Sequence, residues 1–225
     1  MKDDFQNGEL YESRFAFKAR KAVFTTLVVL LVLILLIGTP LLVLFTTHTG
    51  VIVKGNSMKN TLQDGDKLFV KKVDLSEVDY GDIIVVDISS YLQTDEEKEQ
   101  VKDGWIIKRL IAKEGDRVFC QAGVVKVWYA GDSGWTTLEE DYAYYGIEDY
   151  YKEFYEFEEY QVGAGEIFFL GDNRSSLKSS IDSRYKEDCS HNKTGLYKQE
   201  NIVGVVTDWS LNNRWLANIL INENN

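Results

Sequence analysis

The feature that most constrains this chain is a long, almost wholly apolar run near its N-terminus. From Ala22 to Phe45 there is no charged residue, and Leu, Val and Ile dominate. As a helix the run would be roughly 36 Å long, enough to cross the ~30 Å hydrocarbon core of a bilayer. A helix buried in a soluble core would show a polar face, and a cleaved signal peptide would have a shorter apolar part. The run therefore predicts one transmembrane helix over residues 22–45, kinked near Pro40.

The charge of the flanking segment predicts how the helix is oriented. Basic residues close to the apolar run are Arg14, Lys18, Arg20 and Lys21. Because basic flanks stay on the cytoplasmic side, residues 1–21 are predicted to be cytoplasmic and residues 46–225 to form an extracytoplasmic domain. The sequence thus predicts a single-pass protein of the cell membrane, with the lipid bilayer as a partner.

Composition limits what the exterior part can bind. The 225 residues allow one sizeable domain besides the anchor, and the net charge is -11. Such an acidic chain is a poor ligand for nucleic acid, which needs a basic surface. His48, His191, Cys120 and Cys189 show no metal-ligand spacing, so neither a metal nor a cofactor is predicted. The two cysteines either pair outside the cytoplasm or are both buried thiols.

Short apolar runs separated by Gly-Asp turns predict a β domain. The predicted strands lie at residues 51–53, 68–70, 83–86, 105–111, 117–119, 166–170 and 202–206. The charged residues 91–104 between two of these runs predict a solvated loop. The fold class that follows is an all-β domain behind one N-terminal transmembrane helix.

Residues 129–160 depart from this pattern. They contain eight tyrosines, ten acidic residues and a single basic residue, Lys152. This composition is not typical of a core and predicts an acidic, tyrosine-rich insert. An inserted lobe, a mobile flap and an interaction surface are all compatible with it. A solvated insertion is favoured, since long surface insertions cost little loop-closure entropy.

Strand alternation draws attention to one lysine. In the run 105–111, a period of two places Lys108 on the same face as Ile106 and Leu110. Burial disfavours the charged ammonium, and a neutral amine can act as the general base that a serine nucleophile requires. The alternative is a lysine at a strand edge that extends its amine to water. The isolated Ser57 is a candidate nucleophile, although serine is common in turns.

Four short sequence motifs follow one another along the chain. Residues 55–62 read Gly-Asn-Ser-Met-Lys-Asn-Thr-Leu, and Gly-Asp opens the apolar run at 81–86. Lys-Arg followed by Gly-Asp occupies 108–116, and Gly-Asp-Asn-Arg at 171–174 precedes Ser-Ile-Asp-Ser-Arg at 180–184. With these blocks behind an apolar segment, the chain resembles bacterial type I signal peptidases over about residues 10–210. Asn60 stands where that family usually has proline, and the last block is about three residues longer than usual.

The resemblance implies a serine endopeptidase with a signal-peptidase-like β fold and assigns roles to particular residues. Ser57 would be the nucleophile and Lys108 the general base. Ser180 would orient the lysine amine, and the supporting residues would be Asp182, Arg184 and Arg109. The Ser57 N–H would help to hold the oxyanion, whereas Gly55 stands where some relatives carry a further hydroxyl. Shallow pockets for an Ala-x-Ala sequence would be lined by Val51, Val53, Met58, Ile83 and Ile107.

The implied partners are secreted precursor proteins with signal peptides, and three rival interpretations stay open. Self-cleaving repressors share the serine–lysine pair, but they are soluble and carry a DNA-binding segment. Signal peptidases of the endoplasmic reticulum have histidine at the position of Lys108. The third rival is a catalytically idle relative that acts as an assembly factor and binds secreted or surface subunits.

Overall fold

A computed structural model of the chain describes residues 2–92, 94–101, 103–175, 183 and 194–221. The chain divides into two compact units, residues 1–47 and residues 48–225, and each is described by itself.

The first unit is helical over its described length. Helix α1 (Lys2–Leu33) is followed by a π-helical turn, Ile34–Gly38, and by helix α2 (Thr39–Thr47). The stretch Phe17–Thr47 is long and apolar enough to cross a membrane by length and composition. Proline lacks an N–H and its ring clashes with the carbonyl four residues earlier, so the altered hydrogen bonding just before Pro40 has a local cause.

The second unit contains a seven-stranded antiparallel sheet. Its strands are β1 (His48–Ile52), β2 (Lys67–Lys71), β3 (Ile83–Asp87), β4 (Trp105–Lys113), β9 (Glu166–Leu170), β10 (Tyr197–Lys198) and β11 (Ile202–Val206). Their spatial order is β1-β2-β11-β3-β4-β9-β10. Strand β4 therefore lies inside the sheet, between β3 and β9.

A four-stranded antiparallel sheet completes the β structure of the described residues. It is formed by β5 (Arg117–Gln121), β6 (Val124–Trp128), β7 (Thr136–Thr137) and β8 (Phe157–Gln161), in the order β7-β6-β5-β8. Strands β5 and β6 form a hairpin whose two turn residues, Ala122 and Gly123, both have positive φ (47° and 71°). Strands β6, β7, β8 and β10 were not predicted, whereas all seven predicted strands are present.

Short helices connect and end these sheets. Helix α3 (Asp95–Gln100) lies in the segment predicted as a solvated loop, and α4 (Asp208–Asn212) and α5 (Arg214–Leu220) follow the last strand. Thr207 caps α4, because its hydroxyl accepts a hydrogen bond from the Ser210 N–H at 3.3 Å. The predicted fold class, a β domain behind one N-terminal apolar helix, is confirmed with these helical additions.

The alternation predicted for β4 is confirmed. Ile106, Lys108 and Leu110 are exposed by 8%, 3% and 0%, so the lysine side chain is buried with its apolar neighbours. The edge position considered as the alternative is wrong, because β4 is hydrogen-bonded on both sides.

The expectation of a solvated insertion at residues 129–160 is wrong for its inward-facing tyrosines. Tyr145, Tyr155 and Tyr160 are each exposed by 6% or less and pack in one cluster with Val118 and Phe168. Their phenol groups made the segment look polar, but their rings supply the apolar area that covers the second sheet. The segment is therefore part of the core of its unit.

The cysteines were predicted either to pair or to be buried. Cys120 is buried in the cluster beneath the second sheet, and its Sγ donates to the Tyr155 carbonyl at 3.3 Å. Cys189 and His191 lie outside the described residues, whereas His48 is in β1, where its ring packs on Trp209 at 5.8 Å.

Candidate active site

Ser57 lies in a closed loop that follows β1. Main-chain hydrogen bonds join the two ends of the loop, from the Val53 N–H to the Asp66 carbonyl at 2.8 Å and from the Gly65 N–H to the Val53 carbonyl at 2.9 Å. Met58 and Leu62 anchor the loop to the core, being exposed by 1% and 0%. A serine next to such an anchor has little freedom to move.

Helix α5, which is distant in sequence, also holds the loop. Arg214, the first residue of α5, donates to the Thr61 carbonyl and to the Asp66 carboxylate, each at 2.9 Å. Gly55, with φ of 80°, donates its N–H to the Asp64 carboxylate at 2.7 Å. The loop conformation is therefore fixed by contacts on several sides.

The backbone conformation at position 60 explains why this chain has asparagine where the resembled family usually has proline. Its φ is 83°, a left-handed conformation that asparagine tolerates better than most residues. Proline is restricted to φ near -65° and could not adopt it. The asparagine thus fits this loop as it is folded.

The structure brings the two predicted dyad residues together. Lys108 Nζ lies 2.9 Å from Ser57 Oγ and 2.9 Å from the Ile107 carbonyl oxygen. Lys108 comes from the middle of β4, where it is paired with Ile84 of β3. A buried amine at hydrogen-bond distance from a serine hydroxyl is the geometry that general-base activation requires.

Asp172 joins three parts of the site. Its carboxylate accepts hydrogen bonds from Arg109 Nε at 2.8 Å, Arg109 Nη2 at 2.6 Å and the Thr61 hydroxyl at 2.5 Å. Burial disfavours the Arg109 cation, but the hydrogen bonds to Asp172 and the charge of that carboxylate outweigh burial and raise the pKa of Arg109. The neighbour of the proposed base is thereby tied to the loop of the proposed nucleophile.

Asn173 holds the other side of the Ser57 loop. Its N–H donates to the Ser57 carbonyl at 2.9 Å, and its side-chain amide donates to the Asn56 carbonyl at 2.9 Å. Tyr144 forms a parallel bridge with Asn173, donating its N–H to the Asp172 carbonyl and accepting the Arg174 N–H. Residues 140–145 thus support the segment that supports Ser57.

Two side chains of this supporting segment contact arginines. Glu140 accepts a hydrogen bond from the fully buried Arg174 at 2.8 Å, and the Tyr142 ring lies 3.8 Å from the Arg109 guanidinium carbon. Burial disfavours the Arg174 cation, but interactions with Tyr155 and Glu140 hold the pKa of Arg174 well above its ordinary value. Burial and the Glu140 carboxylate raise the pKa of Tyr142, so its phenol stays protonated.

The predicted pocket residues lie in one apolar cluster. Val53, Met58 and Ile83 are buried in it, and Val51 and Ile107 pack against it while partly exposed. Only the last two therefore offer substantial side-chain surface to a ligand in this conformation.

Two main-chain donors next to the proposed nucleophile have no partner among the described residues. Within the described residues, the N–H groups of Ser57 and Met58 form no hydrogen bond. Such donors beside a nucleophile can bind an anionic oxygen.

Other predicted residues cannot be placed. Ser180, Asp182 and Arg184 lie outside the described residues. Between them Ser183 is described, and it is buried against β9, where it exchanges hydrogen bonds with Phe169. In the part of the chain that the structure describes, no three His, Cys, Asp or Glu side chains are grouped so as to hold a metal ion.

Comparison with protein-family models identifies the family of the chain. The sequence model of the signal peptidase family, peptidase S26, matches residues 22–209. The chain belongs to this family. The resemblance inferred from the sequence blocks is thereby confirmed.

Comparison with solved structures and with curated proteins adds the following. A signal peptidase I from Enterococcus faecalis is 21% identical to this family member, with 58% of this chain and 97% of that chain covered and a TM-score of 0.37. No curated protein matches the chain.

Sequence reasoning missed several residues that hold the site of this signal peptidase family member. Thr61, Asp172 and Asn173 lie within the quoted blocks, so their place in the motifs was the available signal, but no contact could be assigned to them. Glu140 and Tyr142 gave no signal, because they lie in a segment that was interpreted as solvated.

Proposed function

We propose that the chain is a membrane-anchored serine endopeptidase that removes N-terminal signal peptides from secreted proteins. The observation that carries this proposal is the 2.9 Å distance between Lys108 Nζ and Ser57 Oγ in a chain of the signal peptidase family. Precursors with signal peptides are the substrates that family membership implies.

The first chemical step would be acylation of Ser57. The neutral Lys108 amine takes the Ser57 proton as the hydroxyl oxygen attacks the scissile carbonyl. The resulting ammonium then gives that proton to the leaving amine, which releases the mature protein. In the second step Lys108 activates a water that cleaves the ester, returning Ser57 and releasing the signal peptide.

Charge develops on the carbonyl oxygen during both steps. The unbonded N–H groups of Ser57 and Met58 are the donors we propose for it, since Gly55 offers no side-chain hydroxyl. A preorganised donor of this kind typically lowers the barrier by about 2.7–4 kcal/mol. Following the resemblance, we further propose that Ser180 orients the amine and that Asp182 and Arg184 brace the site.

A covalent label would test this function. Purified full-length protein in detergent is incubated with a serine-reactive peptide inhibitor ending in Ala-x-Ala, and the adduct is located by mass spectrometry. We expect labelling at Ser57, competition by a precursor, and none in Ser57→Ala. A protein that binds the precursor but neither becomes labelled nor cleaves it would instead be the idle assembly factor. Asn60 does not favour that alternative, because the loop accommodates it.

The anchor and its direction are a second part of the proposal. Residues 22–45, within the apolar stretch Phe17–Thr47, would span the bilayer with residues 1–21 in the cytoplasm, and Ser57 follows Thr47 closely in sequence. The β domain, residues 48–225, would then meet signal peptides as they leave the membrane on the outer side.

Thiol labelling in intact cells would test this topology. We expect Asp4→Cys to be protected from a membrane-impermeant thiol reagent and Asp95→Cys, at a fully exposed site, to react. The unsubstituted protein gives the background from its own cysteines, and lysed cells show that position 4 can react. Labelling of position 4 but not of position 95 in intact cells would reverse the orientation.

A further inference from the structure

Two surface depressions flank the Ser57 loop, and Lys59 lines both. The first, of about 340 Å³, is also lined by Asn56 and Asn173. The second, of about 400 Å³, is also lined by Tyr144, Ile147, Tyr150 and Tyr151, and we call it the tyrosine depression. Because they share Lys59, which lies two residues after Ser57, we treat the two depressions as one path beside the Ser57 loop.

Lys59 is the notable charge on this path. Its ammonium lies 4.7 Å from the centre of the Tyr144 ring, and no described residue forms an ion pair with it. The carboxylate that shares the first depression, Asp64, accepts the Gly55 N–H at 2.7 Å. Next to the tyrosine depression, Asp149 lies 3.9 Å from Lys152. An exposed cation beside a nucleophile, in a chain of net charge -11, can bind an acidic group on the substrate.

The two sides of the Ser57 loop differ in character. Met58 points into the apolar cluster that holds the predicted Ala-x-Ala pocket, whereas the next residue, Lys59, is exposed. In the binding mode that we consider, the signal-peptide end contacts Val51 and Ile107, and the chain after the scissile bond would lie on the side of Lys59. The residues on that side of the scissile bond are the first residues of the mature protein.

The tyrosine depression offers apolar area that is unusual for a free surface. Ile147 and Tyr150 are 81% and 69% exposed, and the Tyr150 ring is held edge-on to Tyr151 at 5.0 Å between ring centres. The neighbouring Glu148 and Asp149 both have positive φ (53° and 56°), a strained conformation that is typical of binding sites.

We propose that Lys59 and the tyrosine depression bind the first residues of the mature protein and favour an acidic residue beside an apolar or aromatic one. The proposal rests on the proposed function, because it assigns a substrate preference to the same site. The ammonium would pair with the acidic side chain, and the tyrosine rings would cover the apolar one.

A charge-swap experiment would test the Lys59 part. Two peptides share Ala-x-Ala and an aromatic residue after the scissile bond, and differ by Glu or Lys next to that residue. At low salt the unsubstituted protein should cleave the Glu peptide with a kcat/KM about two- to fivefold higher, as expected for an exposed ion pair. Lys59→Gln should remove the preference, Lys59→Glu should reverse it, and salt should weaken it.

Matched controls separate this effect from general changes. Lys72→Glu reverses another exposed lysine and should leave the preference as it was. Tyr150→Ser should lower kcat/KM for the aromatic peptides relative to one with serine there, whereas Leu75→Ser, at another exposed apolar residue, should not. An unchanged Glu-to-Lys ratio in Lys59→Glu, with cleavage still dependent on Ser57, would overturn this inference and leave the proposed function standing. Absence of Ser57-dependent cleavage of both peptides would overturn both.

Discussion

Ser57→Ala and Lys108→Met are each expected to lower kcat for signal-peptide cleavage by about 10⁴-fold or more. The reason is the geometry of a single unit: the amine and the hydroxyl lie 2.9 Å apart and act on the same proton. The double variant should therefore be little worse than either single variant. Cleavage of a purified precursor, followed on a gel or by mass spectrometry, measures all three. Substantial activity in Lys108→Met would show that another base is used.

The same lysine variant separates catalysis from stability. Burial disfavours the ammonium of Lys108, while in the unfolded chain at neutral pH the lysine is charged, so folding must either bury that charge or release a proton. Methionine has a similar shape and avoids this cost. We therefore expect Lys108→Met to have an unchanged or higher Tm despite its lost activity. A clear fall in Tm would show instead that the contacts of the lysine amine, such as those to Ser57 and the Ile107 carbonyl, outweigh the cost of burying it.

Glu140→Ala is expected to lower the free energy of unfolding by about 3–5 kcal/mol, because it leaves the fully buried Arg174 guanidinium without its carboxylate. A urea titration followed by tryptophan fluorescence measures this change. Glu159→Ala is the matched control, since its pair with Arg117 is about as close (2.6 Å) but about 40% exposed on both sides. Its loss should cost much less, because water screens both of these exposed groups. Equal effects of the two variants would contradict the role given to Glu140.

Loss of stability should explain only part of the activity that Glu140→Ala loses. Tyr144, in the same segment, holds Asp172 and Arg174 through main-chain hydrogen bonds, so loosening residues 140–145 should also loosen the support of Ser57. Glu140→Ala should then lose cleavage activity even at temperatures where it is folded. We therefore expect the proposed active site to depend on a segment that the sequence analysis interpreted as a solvated insertion.

Some features of the proposed site could be predicted from the sequence and others could not, for physical reasons. The spacing of Lys108 within an alternating strand predicted its burial, because alternation is a property of the strand alone. The sequence blocks predicted that Ser57 and Lys108 belong to one site. The structure places their side chains at hydrogen-bond distance. No local pattern predicts that Asp172 reaches both Arg109 and Thr61, since those contacts join residues far apart in the chain.

The tyrosine-rich segment shows a second limit. Tyr145 and Tyr155 are buried from irregular segments and Tyr160 from strand β8, so their spacing has neither the period of a helix nor that of a strand. Because many neighbouring residues are acidic, the sequence of the segment looks polar although the rings are largely apolar. Strand β6 carried a clearer signal, since Val125 and Val127 alternate with polar or exposed residues after the turn at Gly123, but its hairpin turn begins with alanine rather than the usual asparagine or aspartate.

The left-handed backbone of Asn60 bears on how such a protein could be engineered. Importing the residue most common among relatives, and replacing loop residues by proline, are two standard ways to stabilise a protein, because they draw on inherited compatibility and reduce the entropy of the unfolded chain. At position 60 both methods recommend proline, and the φ of 83° rules it out unless the whole Ser57 loop refolds. Asn60 and the conformation of the Ser57 loop depend on each other. They can therefore be replaced by those of a relative only together.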